Sequence, residues 1–190
     1  SKYSLDGIHY DYIRYHSIDY GYNKTGLSIF KENNKINDYN LNEDFNRLFS
    51  DYKRRSITEF VKNANIEIKN NLPSCIISAA VKPNIYDAKL TFFQEWDLWL
   101  SAGYLDWAVP MNYAVDNNDF VQNMYMIKDN IPKKYHDNII VGVAAYNQSA
   151  KSLGKKINRL KKMDFNNISI FSYNTIVEKP YYWRRLKKYF

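Results

Sequence analysis

Apolar runs opening near Cys75, Leu105, Ile139 and Ile168 recur at the spacing of one strand–helix repeat, about thirty residues. Cys75 to Val81 lies between Pro73 and Pro83 and is too short for a buried helix, so it reads as a buried strand. Leu105 to Tyr113 is strand-like as far as Pro110, where a ladder donor is lost. Ile139 to Tyr146 and Ile168 to Ser172 are two further strands. Between them the apolar period changes to that of a helix: Phe92, Trp96, Trp99 and Leu100 before Gly103, then Phe120, Val121, Met124 and Ile127, then Leu153, Ile157 and Leu160. Asp6 to Tyr15, rich in Ile and Tyr, supplies a fifth strand at the start. Repeated alternation of this kind predicts an α/β fold with a parallel sheet and its helices outside. An eight-stranded barrel takes about 250 residues. With 190 residues the chain has room for five βα units, so the expectation is one domain, 1–190, forming the C-terminal portion of a (β/α)8 TIM-type barrel.

Residues 17–42 are polar, rich in Asn, Lys, Tyr and Gly and without a clean period, and are expected to form a long insertion loop. From Asp44, Phe45, Leu48, Phe49 and Tyr52 recur at helical spacing, and Ser56-Ile57-Thr58-Glu59 has the form of a capping box ahead of Phe60, Val61, Ala64, Ile68 and Leu72. The net charge is +7, from 27 Lys and Arg against 20 Asp and Glu, and it is spread along the chain rather than gathered in a groove. That favours a generally anionic environment over a dedicated nucleic-acid site. Cys75 is the only cysteine, which excludes an internal disulfide and a cysteine metal centre. His9, His16 and His136 lack ligand spacing, so no metal and no cofactor is expected. No run is long enough for a membrane span. The chain opens on Ser1 rather than Met, so the start is expected to be a cut, with further strands upstream.

The first strand carries the chemistry-bearing residues. His9, Asp11 and Arg14 stand where a buried strand would carry apolar side chains. Asp11 reads either as an active-site carboxylate or as a strand-end cap for the next loop. His9 lies two residues earlier, on the same face, from which it could orient Asp11 or simply satisfy a buried polar neighbour. Glu95, at the loop-to-helix junction after the second strand, is the candidate second carboxylate; the bland alternative is an acid stabilising the first turn of a helix. Arg14 offers a planar fork for a carboxylate or hydroxyls, or a partner for Asp11. Asn112, Tyr113, Tyr146 and Tyr173 fall at strand ends, where they can hydrogen-bond a substrate or lie against it. Asp106 opens a strand at the far end and is expected to be structural, while Trp99 and Trp107 are assigned to the core.

Asp6-Gly7-Ile8-His9 with Asp11-Tyr12-Ile13-Arg14-Tyr15, Ser78-Ala79-Ala80-Val81, Gln94-Glu95-Trp96 with Trp99-Leu100, Gly103-Tyr104-Leu105-Asp106 and Pro110-Met111-Asn112-Tyr113 together resemble the bacterial glycosyl-hydrolase-like proteins of family ten, which are (β/α)8 barrels. The resemblance implies that the first strand here is the fourth of the barrel. Several members carry two adjacent acids at the tip of that strand; here the second is Tyr12, which leaves Asp11 alone. The resemblance also places an acid within a Gln-acid-Trp segment, matching Glu95, and with it Trp96 joins the expected substrate contacts.

The resemblance implies a secreted or surface enzyme that cuts the glycan strands of bacterial peptidoglycan, by hydrolysis or by lytic transglycosylation. Asp11 and Glu95 are its expected catalytic residues, and His9, Arg14, Trp96, Asn112, Tyr113, Tyr146 and Tyr173 its expected substrate contacts. Lytic transglycosylation works with a single acid/base, because a hydroxyl of the substrate displaces the leaving group. The competing reading is a non-catalytic carbohydrate-binding or wall-anchoring domain derived from such a barrel. The basic aromatic stretch Trp183 to Tyr189 is read as a solvated final helix rather than a nucleic-acid site.

Overall fold

The computed structural model describes residues 5–36 and 43–190. Five short parallel strands, β1 (Gly7–Tyr10), β2 (Ile76–Val81), β3 (Trp107–Pro110), β4 (Val141–Ala144) and β5 (Ile168–Phe171), follow one another in space as they do in sequence. β1, β2 and β3 form one ladder and β4 and β5 another, and the bridges Ala108–Ile139 and Met111–Gly142 carry the parallel pairing from β3 to β4. A Cβ on Gly142 would sit 3.0 Å from the carbonyl oxygen of Pro110, tighter than an ordinary contact, so glycine eases the close approach of β4 to the end of β3. The peptide bond between Phe171 and Ser172 is cis.

The pleat divides the strand residues into two sets. Ile77, Ala79, Val81, Ala108, Val141 and Val143 are buried against the helices in one continuous core. Their alternates, among them His9, Trp107, Ser169 and Phe171, point to the opposite, concave side, where these four are exposed. The expected alternation of strands and helices is therefore present, with one face of the sheet covered.

The helices are α1 (Lys24–Asn34), α2 (Glu43–Asn71), α3 (Ile85–Leu90), α4 (Trp96–Ser101), α5 (Asn117–Asn130), α6 (Ala150–Lys162), α7 (Tyr173–Glu178) and α8 (Pro180–Leu186). Side-chain caps explain several starts: Asp116 accepts the amides of Asn118 and Asp119 ahead of α5, and Ser149 accepts that of Ser152 ahead of α6. Leu153, Ile157 and Leu160 form the buried stripe of α6, at the spacing read from the sequence.

Three expectations are corrected. Residues 17–42 are not all loop, because Asn23 caps α1 within them and Phe30 anchors that helix in a cluster with Phe45 and Phe49; residues 37–42 lie outside the described residues. The capping box at Ser56 does not start a helix. α2 runs unbroken through it, and the Ser56 hydroxyl donates instead to the Tyr52 carbonyl one turn back. The helix expected over Phe92 to Leu100 starts only at Trp96, as α4; Phe92 and Phe93 lie in the turn that follows α3, where Phe93 adopts φ 55°.

Lys53 ties the segment after β1 to α2. It is 1% exposed. Its amine donates to the carbonyls of Ile18 at 2.8 Å and Tyr20 at 3.3 Å, and lies 4.0 Å from the centre of the Phe93 ring, with Tyr15, Tyr22 and Phe49 around it. Burial pushes its pKa down from 10.5 to about 8, with Asp19 opposing. Replacing it, as in Lys53→Met, leaves two carbonyls without a donor and is expected to lower stability by about 1–3 kcal/mol. Between pH 8 and 10.5 the unfolded chain binds this proton and the folded one does not, so the stability contributed by Lys53 rises with pH across that window. Urea unfolding at pH 7.5 and pH 10 checks both expectations: the gap between wild type and Lys53→Met widens at the higher pH.

Candidate active site

β1 ends at Tyr10, and the chain then turns sharply. Tyr12 adopts φ 54°, a left-handed conformation uncommon for a tyrosine. This aims its amide at Asp11, whose Oδ1 accepts it at 2.7 Å, and the Arg14 amide donates to the Tyr12 carbonyl at 2.7 Å. The turn thus fixes one oxygen of an exposed carboxylate at the tip of the strand. Asp11 opens onto a cavity of about 630 Å³ on the concave side of the sheet, lined also by His9, Arg14, Trp107, Met111, Tyr113 and Phe171. It is the one carboxylate among the described lining residues.

The imidazole of His9 bonds Ser78 rather than Asp11: its Nδ1 is 2.9 Å from the Ser78 hydroxyl, across the β1–β2 register that pairs these two residues. Tyr113 stacks on Phe171 with ring centres 5.6 Å apart, and Tyr146 meets both rings edge-on. Burial pushes the Tyr113 phenol up, and Tyr146 and Asp11 add to the effect, so the hydroxyl stays protonated at neutral pH. Tyr113 and Phe171 line the cavity beside the carboxylate, and Tyr146 packs against them from outside it.

The backbone beneath the site depends on one buried amide. Gln94, 0% exposed, donates through Nε2 to the carbonyls of Ile13 and Ala80 and accepts the Lys82 amide on Oε1. It joins the tip of β1 to the tip of β2. Beyond β3, Asn112 is buried, donating to the Phe120 carbonyl and accepting from Asn123, which locks the strand end to α5.

Four expected site residues are not where the sequence reading puts them. Glu95 does not face Asp11. It sits between α2 and the α3–α4 turn, accepting from Thr58 at 3.3 Å, with Lys89 at 3.4 Å and Arg54 at 3.9 Å, in surface pockets separate from the Asp11 cavity. Trp96 is 0% exposed and donates to the Lys82 carbonyl, so it is a core residue and not a substrate contact. Asn112 is held by α5 and borders the neighbouring pocket rather than the Asp11 cavity. Tyr173 opens α7, is 76% exposed and does not line the cavity. In the opposite direction, Trp107, assigned to the core, is 41% exposed and lines the cavity with Met111 and Phe171. The period-two pattern Trp107, Val109, Met111 carried that signal, since all three fall on the face that bears His9 and Asp11. Asp106 is structural, as expected, taking the Lys69 amine and the Ile77 amide on one oxygen.

Residues 1–161 match the family model described as Glycosyl hydrolase-like 10. The chain belongs to this family. A search of curated proteins finds no match. Among solved structures it is similar to the PgaB (BpsB) glycoside hydrolase domain from Bordetella bronchiseptica, with a TM-score of 0.74 and 12% identity over 94% of this chain and 55% of that one. The chain thus has the TIM-barrel type of fold and spans about half the length of that structure. Within this glycosyl-hydrolase-like fold, Asp11 stands at the C-terminal end of a strand, where barrel enzymes place their chemistry.

Gln94→Leu tests the scaffold. It strands one amide and two carbonyls in the interior, each costing about 1–3 kcal/mol. The expected result is a large loss of stability in urea, together with faster hydrogen exchange at the Lys82 amide.

Proposed function

We propose that this protein is a glycosidase of bacterial cell-wall polysaccharide that cuts the glycan strands of peptidoglycan with Asp11 as its acid/base. The observation that carries this reading is the placement of Asp11: a carboxylate at a strand tip, opening on a cavity walled by Tyr113, Phe171 and Trp107, within the fold of a glycoside hydrolase domain. Flat rings suit the faces of sugars. In this reading Asp11 protonates the leaving glycosidic oxygen and then, as carboxylate, accepts a proton from the attacking hydroxyl. With one carboxylate lining the cavity, that hydroxyl belongs to the substrate itself in lytic transglycosylation, or to water in hydrolysis.

The five βα units are taken as the later part of an eight-unit barrel whose earlier strands lie upstream. The length ratio to the solved relative supports this, as does the lack of a second strand partner for β1 or β5 among the described residues. In this reading the protein works outside the cell or at its surface, where a net charge of +7 suits an anionic wall. No helix among the described residues is long and apolar enough to cross a membrane. The second reading, a non-catalytic carbohydrate-binding or wall-anchoring domain, draws on the same lone carboxylate.

Incubating the full-length protein with purified glycan strands separates the two readings. Mass spectrometry is expected to show new reducing ends or anhydro-sugar termini. Asp11→Asn is expected to lower the rate by about 100-fold or more, the usual share of a general acid/base. Glu95→Gln is expected to keep most of the rate, because Glu95 lies outside the cavity. Product formation that survives Asp11→Asn would overturn the assignment, and binding without product would favour the second reading.

A further inference from the structure

We infer that Arg14 and Lys82 form a subsite for a carboxylate carried by the substrate, beside Asp11. This rests on the glycan-cleaving reading and adds the charge that its substrate bears.

Arg14 lines the Asp11 cavity and also a second pocket, of about 640 Å³, that Lys82 shares. Its Nε and Nη1 are shut off from solvent and have no hydrogen-bond partner among the described residues. Among these residues no carboxylate comes within 4.0 Å of Arg14 or Lys82. The Arg14 guanidinium instead lies 4.5 Å over the Tyr12 ring, and the Lys82 amine 4.0 Å over that of Phe92. A guanidinium removed from water without acceptors is costly, and two neighbouring cations repel each other. Burial and then Arg14 push the Lys82 pKa down, with Asp87 opposing.

The fold nevertheless holds the pair together. Gln94 binds the carbonyl of Ile13, next to Arg14, and the amide of Lys82, while Trp96 binds the Lys82 carbonyl. Both backbones are therefore fixed by buried groups that do nothing to neutralise the two side chains. Because Arg14 Nε and Nη1 are closed to solvent, a carboxylate arriving in the second pocket would meet the Lys82 ammonium with the Arg14 charge held beside it. Asp87 and Asp119 also line the second pocket, and both are exposed. They and Asp11 oppose a free anion, so the carboxylate has to be delivered on a sugar that makes its own contacts.

Titration calorimetry on the full-length protein tests this without requiring turnover. The probes are a peptide-free glycan-strand tetrasaccharide with free lactyl carboxylates and the same compound as its methyl ester. The acid is expected to bind at least tenfold more tightly than the ester, and Arg14→Gln and Lys82→Gln are each expected to bring it close to the ester. Lys82→Gln decides the matter even if Arg14→Gln folds poorly, because the scaffold uses only the backbone of Lys82. Equal binding of acid and ester, or a preference that survives Lys82→Gln, overturns the subsite and leaves the glycan reading standing. Failure of both probes to bind overturns the glycan reading and the subsite together.

Discussion

The side-chain amide of Gln94 is the contact on which the rest of the site depends. Strand ladders hold β1 to β2 only as far as Tyr10 and Ala79, and Asp11, Tyr12 and Arg14 all lie past that limit. What continues the alignment is Gln94, with its three bonds, and the Tyr15 amide, which donates to the Phe92 carbonyl. A buried amide is costly when partly satisfied and specific when fully satisfied, since few backbone arrangements meet all its groups at once. The turn that places Asp11 and the strand end that places Lys82 are thereby held in one geometry.

Lysines extend the same logic outward. Lys53 gathers the carbonyls of Ile18 and Tyr20, and Lys156, 2% exposed, gathers those of Ala114 and Val115 together with Gln148 Oε1. Lys69 does the same for Cys75 and Asp106 at the other end of the sheet. Each amine satisfies loop carbonyls at the end of an element, where regular structure leaves them open. The Lys156 strap follows directly on Tyr113, so it also helps hold that ring against Phe171. Part of the chain's positive charge is therefore internal structure, and the net charge overstates what is presented to a partner.

The strands were legible because short apolar runs between Pro and Gly have few alternatives, and their spacing carried the topology with them. The helix boundaries were less so. Ser56-Ile57-Thr58-Glu59 has the residues of a helix start, but Phe49, Lys53 and Val61 pack along one continuous helix, and that burial outweighs a local cap. α1 hid in a polar segment because a single residue, Phe30, provides its fully buried contact. Trp107 was misread because hydrophobicity alone cannot say which face of a sheet is covered. Glu95 was misread for a related reason: it adjoins Gln94, and the neighbour of a scaffold residue points the other way, toward Arg54 and Lys89. The position of Asp11 was legible, but the residues that orient it were not, since Tyr12 and Gln94 act through backbone groups.

These placements narrow the chemistry. A two-carboxylate mechanism needs acids separated by about 5–10 Å across the scissile bond. The nearest expected partner, Glu95, is held by Thr58, Lys89 and Arg54 outside the cavity, and the His9 ring is tied to Ser78. Beside Asp11 the cavity is lined by the protonated phenol of Tyr113, the guanidinium of Arg14 and the imidazole of His9, whose Nδ1 is engaged by Ser78. Phenol and guanidinium are poor bases at neutral pH, which leaves Asp11 and the His9 imidazole as the described lining groups able to carry a proton in the proposed cleavage. In the proposed cleavage, Asp11 acting alone fits a nucleophile already positioned on the substrate, and Asp11 assisted by His9 fits an attacking water.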